Sequence, residues 1–190
     1  RHQLHSLQFK QGREVDARVW APWVNDYLLV FRKPGVGGKP VRCLYDPISN
    51  PNGWVTRDEW RAWGCGVWND IHEIDVLSGW QNARETDEEK HVCPLQLEVI
   101  RRSLALYSSP GDLVLDPFFG IGSTGYVALG GASPITKLAL HEPRRVVGFE
   151  LKESYYAQAL RNCERAITQR ETPDAPTLFS YLETLQQDVA

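Results

Sequence analysis

Leu113-Val114-Leu115-Asp116-Pro117-Phe118-Phe119-Gly120-Ile121-Gly122-Ser123-Thr124-Gly125 is the stretch that decides the fold. Its apolar opening, Leu113 to Leu115, predicts a buried parallel strand. Asp116 falls where that strand ends. Gly120, Gly122 and Gly125 then make a loop, and Tyr126 to Leu129 reads as helix, with Ser123 or Thr124 as its cap and Gly130-Gly131 as its stop. Strand, glycine loop and helix in that order build the ligand-binding edge of a doubly wound α/β sheet. The glycines let backbone come close to a ligand, and the helix start offers free N–H groups.

The acid at the strand end narrows the ligand. A carboxylate accepts hydrogen bonds from an ammonium or from hydroxyls, and it repels a pyrophosphate. The loop therefore suits a cationic, phosphate-free cofactor such as S-adenosylmethionine better than NAD. The plain alternative is a structural βα turn. Downstream, Arg144 to Glu150 reads as a second parallel strand, and Glu150 at its end is placed to accept ribose hydroxyls.

Asp116-Pro117-Phe118-Phe119-Gly120-Ile121-Gly122-Ser123-Thr124 resembles the cofactor motif of the DNA amino-methyltransferases, which methylate the exocyclic amine of adenine or cytosine. Lys90-His91-Val92-Cys93-Pro94-Leu95-Gln96-Leu97 looks like the second cofactor-contacting motif of that family, and Val146 to Lys152 looks like its next strand with a terminal acid. Their order resembles the permuted, phage and bacterial-like subgroup, in which the catalytic half precedes the cofactor half. The likeness is strong over residues 85–165 and weak over 1–40.

The resemblance implies a Rossmann-like, S-adenosylmethionine-dependent methyltransferase fold: α/β, a mostly parallel sheet with flanking helices, circularly permuted in motif order. It implies cofactor contacts from Val92, Cys93, Asp116, Pro117, Phe118, Gly120, Gly122, Ser123, Thr124, Glu150 and Leu151. It implies double-stranded DNA as the partner and a restriction–modification or phage setting, with adenine-N6 favoured over cytosine-N4. Residues 1–34 are expected to belong to the catalytic half and 35–88 to an inserted region like those that recognise a target. The cofactor half is expected at 89–170, and a C-terminal helix and tail at 171–190.

The family holds its extruded base with an Asp/Asn/Ser-Pro-Pro-aromatic tetrapeptide. No Pro-Pro occurs in these 190 residues. Asp46-Pro47-Ile48-Ser49 lacks the second proline and the aromatic, and Asp116-Pro117-Phe118-Phe119 belongs to the cofactor loop. In the permuted order the tetrapeptide would precede Arg1. The chain also contains no methionine, so the expectation is a methyltransferase read without its catalytic segment, and no catalytic residue is named. A non-catalytic DNA-binding or cofactor-sensing remnant is the alternative, and a methyltransferase for small molecules or proteins is a third.

Composition sets the bounds. The length suits one domain with an inserted piece. No apolar run approaches the roughly 20 residues that span a bilayer, and no basic-then-apolar leader is present, so a cytoplasmic protein is expected. Cys43, Cys65, Cys93 and Cys163 are too scattered for a zinc site or a disulfide framework. Residues 1–42 hold eight Lys/Arg against three acids, and residues 58–89 hold two Arg against nine acids. The basic front can meet a phosphate backbone or simply be solvated surface. The oligomeric state is left open, a dimer among the options.

Elsewhere the chain reads as follows. Asp26 to Phe31 is apolar and β-rich, a strand. Thr56-Arg57-Asp58-Glu59 matches a capping box and predicts a helix through Trp63, stopped at Gly64. All seven tryptophans fall between Trp20 and Trp80, as a subdomain core or as a base-stacking surface. Residues 94–107 are expected as a helix with Pro94 in its first turn. Residues 132–143 depart from the family pattern, and within them Ser133 to His141 reads as possible helix. Ser154 to Arg170 is expected as an amphipathic helix with Tyr156, Ala159, Leu160, Cys163 and Ile167 on one side.

Overall fold

A computed structural model describes residues 27–33, 40–79 and 94–171. The chain divides into two units, Arg1–Lys39 and Pro40–Ala190. In the first unit, residues 27–33 form no helix or ladder, and Tyr27, Leu29 and Phe31 are exposed. The strand expected there is not formed: a strand exists only where a second backbone accepts and donates its hydrogen bonds.

In the second unit the order is α1 (Arg57–Trp63), α2 (Leu97–Tyr107), β1 (Leu113–Asp116), α3 (Ser123–Ala128), β2 (Arg145–Gly148) and α4 (Glu153–Glu171). This is an α/β arrangement. The strands pair in parallel, Leu113 opposite Arg145 and Asp116 opposite Gly148. Parallel pairing needs a crossover, and α3 with the turns after it supplies that crossover.

The capping box at α1 is formed as expected. Thr56 Oγ1 accepts from the Glu59 N–H at 3.2 Å, and the Glu59 carboxylate accepts from the Thr56 N–H at 2.9 Å. Gly64 ends the helix, its N–H donating to Trp60 O. Trp63 and Trp68 then meet α2 through charged groups. Glu98, only 4 % exposed, accepts two hydrogen bonds from Arg101 and one from Arg102, each 2.7 Å. Arg102 also forks onto Asp70 at 2.7 and 2.8 Å. The Arg101 guanidinium lies 4.7 Å from the Trp63 ring centroid, and that of Arg102 lies 5.4 Å from Trp68. A fork geometry and an aromatic face are both places where arginine is favoured over lysine. The described tryptophans thus divide: Trp54, Trp63 and Trp68 pack into the core cluster, whereas Trp60 is exposed. Trp20, Trp23 and Trp80 lie outside the described residues.

Several expectations are corrected. The helix expected from residue 94 starts at Leu97, because the Leu97 N–H donates to Asp75 O at 2.8 Å and Gln96 serves as the N-cap. Its far end is closed by Arg144, whose guanidinium donates to Leu104 O and Ser108 O. Burial holds the Arg144 guanidinium below its usual pKa, against the opposing pull of Asp112 and Glu142. Residues 132–143 make turns instead of helix. There Ser133 Oγ donates to buried Asp75 and accepts from the Ile135 and Thr136 N–H groups. Hydroxyl groups that satisfy local backbone in this way compete with helix.

Strand β1 is not buried on both faces: Leu113 and Leu115 are exposed, as is Val147 on β2, and only the alternate residues are half-covered. The described helices leave that second face bare. The face that α4 buries is also not the apolar one expected. Gln158, Ala159, Asn162 and Ala166 are buried, whereas Tyr156, Leu160 and Ile167 are exposed and Cys163 is half-buried. Small and amide side chains bring α4 close to α3 and the glycine loop. The expected C-terminal segment, from residue 172 on, lies outside the described residues. Cys43, Cys65 and Cys163 are free thiols. No described helix is long and apolar enough to cross a membrane.

Candidate functional site

The carboxyl ends of β1 and β2 lie side by side because the register sets Asp116 opposite Gly148. The pairing continues past both strands: the Phe149 N–H donates to Asp116 O at 3.0 Å, and the Phe119 N–H donates to Phe149 O at 2.9 Å. Two carboxylates therefore flank one loop. Asp116 Oδ1 accepts from the Phe118 N–H at 2.9 Å, a local turn that aims the chain out of the strand. Glu150 Oε2 accepts from the Gly120 N–H at 2.8 Å, and its Oε1 accepts from the Lys152 N–H at 2.9 Å. Among the described residues neither carboxylate has a Lys, Arg or His nitrogen within 4.0 Å. Each keeps lone pairs for a ligand that brings hydroxyl or ammonium donors.

The loop between them is shaped by its glycines. Gly120 and Gly122 have φ of 54° and 82°, a left-handed backbone that other residues seldom adopt. At Gly120 a Cβ would meet nothing within 4 Å, so open space adjoins the backbone there. Gly122, not Ser123 or Thr124, is the N-cap of α3. Ser123 is buried and Thr124 half-buried, both inside the first turn. The cap expected from a hydroxyl is instead a left-handed glycine with no side-chain bond.

The two phenylalanines part company. Phe118 is 89 % exposed. Phe119 turns inward and fills the gap between α3 and β2: a Cβ at Gly125 would lie 2.4 Å from its Cζ, and one at Gly148 would lie 2.3 Å from its Cγ and Cδ2. Gly148→Ala is therefore expected to displace the Phe119 ring and cost about 1–3 kcal/mol, as overpacked cores do. Chemical denaturation of the variant checks this, and an unchanged midpoint counts against the wedge.

Of the residues expected at the site, Asp116, Pro117, Phe118, Gly120, Gly122, Ser123, Thr124, Glu150 and Leu151 all fall on this edge or on the first turn of the helix leaving it. Pro117 and Leu151 are exposed. Val92 and Cys93 lie outside the described residues. Sequence reading missed Asn162 on α4, which donates from Nδ2 to Ile121 O at 2.8 Å and so holds the loop from behind. The only sequence sign was an amide pair four residues apart, Gln158 and Asn162, on one side of the helix.

A family model described as DNA methylase matches residues 23–161. The type II methyltransferase M.MjaI of Methanocaldococcus jannaschii is 28% identical over 130 residues, covering 68% of this chain and 35% of its own. The type II methyltransferase M.BglI of Bacillus subtilis is 25% identical over 167 residues, covering 78% of this chain and 38% of its own. The chain thus spans about a third of the length of these curated relatives. A solved structure from Thermus thermophilus, described as a DNA modification methylase complexed with S-adenosyl-L-methionine, is 22% identical. It has a TM-score of 0.47 and covers 78% of this chain and 50% of that one.

Proposed function

The chain belongs to the N6/N4 DNA methylase family, and on that premise we propose that the protein transfers a methyl group from S-adenosylmethionine to an exocyclic amine of double-stranded DNA. Adenine N6 is the favoured acceptor and cytosine N4 the other. The observation that carries the reading is the pair of carboxylates Asp116, at the end of β1, and Glu150, two residues past β2, on either side of a left-handed glycine loop with open space beside Gly120. Those residues fit the cofactor. A sulfonium nucleoside brings a positive charge and ribose hydroxyls but no phosphate.

When bound, the cofactor supplies the electrophilic methyl group. This chain's residues hold and orient it. Glu150 accepts ribose hydroxyls with the lone pairs left over from Gly120 and Lys152. Asp116 faces the ammonium end, and the exposed Phe118 ring and the Gly120–Gly122 backbone form the wall beside it. Val92 and Cys93 are proposed as further contacts at the methionine end. No proton needs to be stored on either carboxylate. An exocyclic amine is a poor nucleophile because its lone pair is delocalised, so the groups that localise it decide the rate. The chain contains no Pro-Pro step to supply them, and no catalytic residue is assigned.

Labelled S-adenosylmethionine incubated with the full-length protein and mixed-sequence duplex DNA tests the reading. Digestion to nucleosides should give N6-methyldeoxyadenosine, or N4-methyldeoxycytidine for the other acceptor. Cofactor binding without transfer to any duplex would favour a cofactor-sensing DNA-binding protein instead.

A further inference from the structure

We propose that Asn162 is a positioning residue for the glycine loop and sets the affinity for S-adenosylmethionine without touching it; this rests on the cofactor reading above. Asn162 is 2 % exposed, and its side chain lies under the loop, on α4. Ile121 sits between two residues with positive φ, Gly120 and Gly122. That backbone turns the Ile121 carbonyl inward, away from solvent and onto the Asn162 amide at 2.8 Å.

The loop has no slack at this point. A Cβ on Gly122 would come within 3.0 Å of Ala159 Cβ and 3.1 Å of Ala159 Cα, so loop and helix are already in contact one turn before Asn162. The amide is itself oriented. Its Oδ1 accepts from Gln158 Nε2 at 3.2 Å, and Gln158 Oε1 accepts from Arg161 at 2.7 and 3.2 Å. With its oxygen occupied in this way, the Asn162 NH₂ is the end that faces the loop, which fixes the direction of the bond to Ile121.

Two groups thus grip neighbouring residues of one loop. Glu150 takes the Gly120 N–H from the ligand edge, and Asn162 takes the Ile121 carbonyl from beneath. Removing the amide leaves a buried acceptor without a partner. The loop must then shift to find water, and the shift moves Gly120 relative to Glu150. A buried polar group that loses its partner is costly, and here the cost falls on the conformation that faces the ligand.

The test uses the full-length protein with Asn162→Leu and the milder Asn162→Ser. Calorimetric titration with S-adenosylmethionine should show Kd raised by about tenfold in each, the scale of one lost buried hydrogen bond. Hydrogen–deuterium exchange should quicken at residues 119–125 and stay unchanged in α1. If Asn162→Leu fails to fold, Asn162→Ser carries the same readings. A variant Kd within about twofold of wild type overturns the proposal, as does exchange that quickens equally in α1. If the unaltered protein does not bind S-adenosylmethionine, the cofactor reading itself fails and takes this one with it.

Discussion

Glu150→Ala is expected to weaken S-adenosylmethionine binding by roughly a hundredfold or more, because two effects act together. The variant loses the acceptor proposed for the ribose hydroxyls. It also releases the Gly120 and Lys152 N–H groups, which the carboxylate holds at 2.8 and 2.9 Å. Glu150→Gln separates the two. A neutral amide oxygen can still accept one of those N–H bonds, but it offers no charge to the hydroxyls, so its loss should be smaller. Titration calorimetry on both variants reads the order directly. Equal, wild-type binding by both would remove Glu150 from the site.

Glu98→Ala should destabilise the fold by about 3–5 kcal/mol, the range for breaking a buried ion pair by removing one partner. Arg101 and Arg102 are each about as buried as Glu98, and the substitution strips three hydrogen bonds from them. Arg102 retains Asp70, so Arg101 bears most of the loss. The same cluster sets a pH dependence. Burial pushes the Glu98 carboxyl up, but the hydrogen bonds and charges of Arg101 and Arg102 outweigh it and hold the carboxyl below its ordinary value. Asp70 is held down by its hydrogen bonds to Arg102. A depressed carboxyl contributes stability that is complete above its unfolded pKa of about 4 and is lost as pH falls through the folded value. Urea unfolding from neutral pH downward should show that acid loss in the wild type and a shallower one in Glu98→Gln.

Local signals were legible where the physics is local. Thr56 and Glu59 close a box within four residues, and helix α1 follows from them. Asp116 ends β1 and Glu150, expected as the end of the second strand, lies two residues past the end of β2 at Gly148; any parallel pairing of those strands still brings both to one edge. What depends on distant neighbours was not legible. Phe118 and Phe119 are the same residue type in succession, and only Gly125 and Gly148, which leave room for a ring, decide which turns inward. On α4 the apolar Tyr156, Leu160 and Ile167 looked like the packing face, but Asn162 is buried where it bonds the loop and Gln158 where it bonds Asn162. The burial of Glu98, Arg101 and Arg102 has no local sign either, since nothing in their spacing announces that Asp70, Trp63 and Trp68 enclose them.

The loop after β1 is fastened at three points: the Gly120 N–H by Glu150, the Ile121 carbonyl by Asn162, and the Phe119 ring between two glycines. A molecule entering that edge meets backbone whose ordering entropy has already been spent in folding. Association there should proceed in a single concentration-dependent phase, with no slow step for loop closure, and differences among ligands should appear chiefly in how fast they leave.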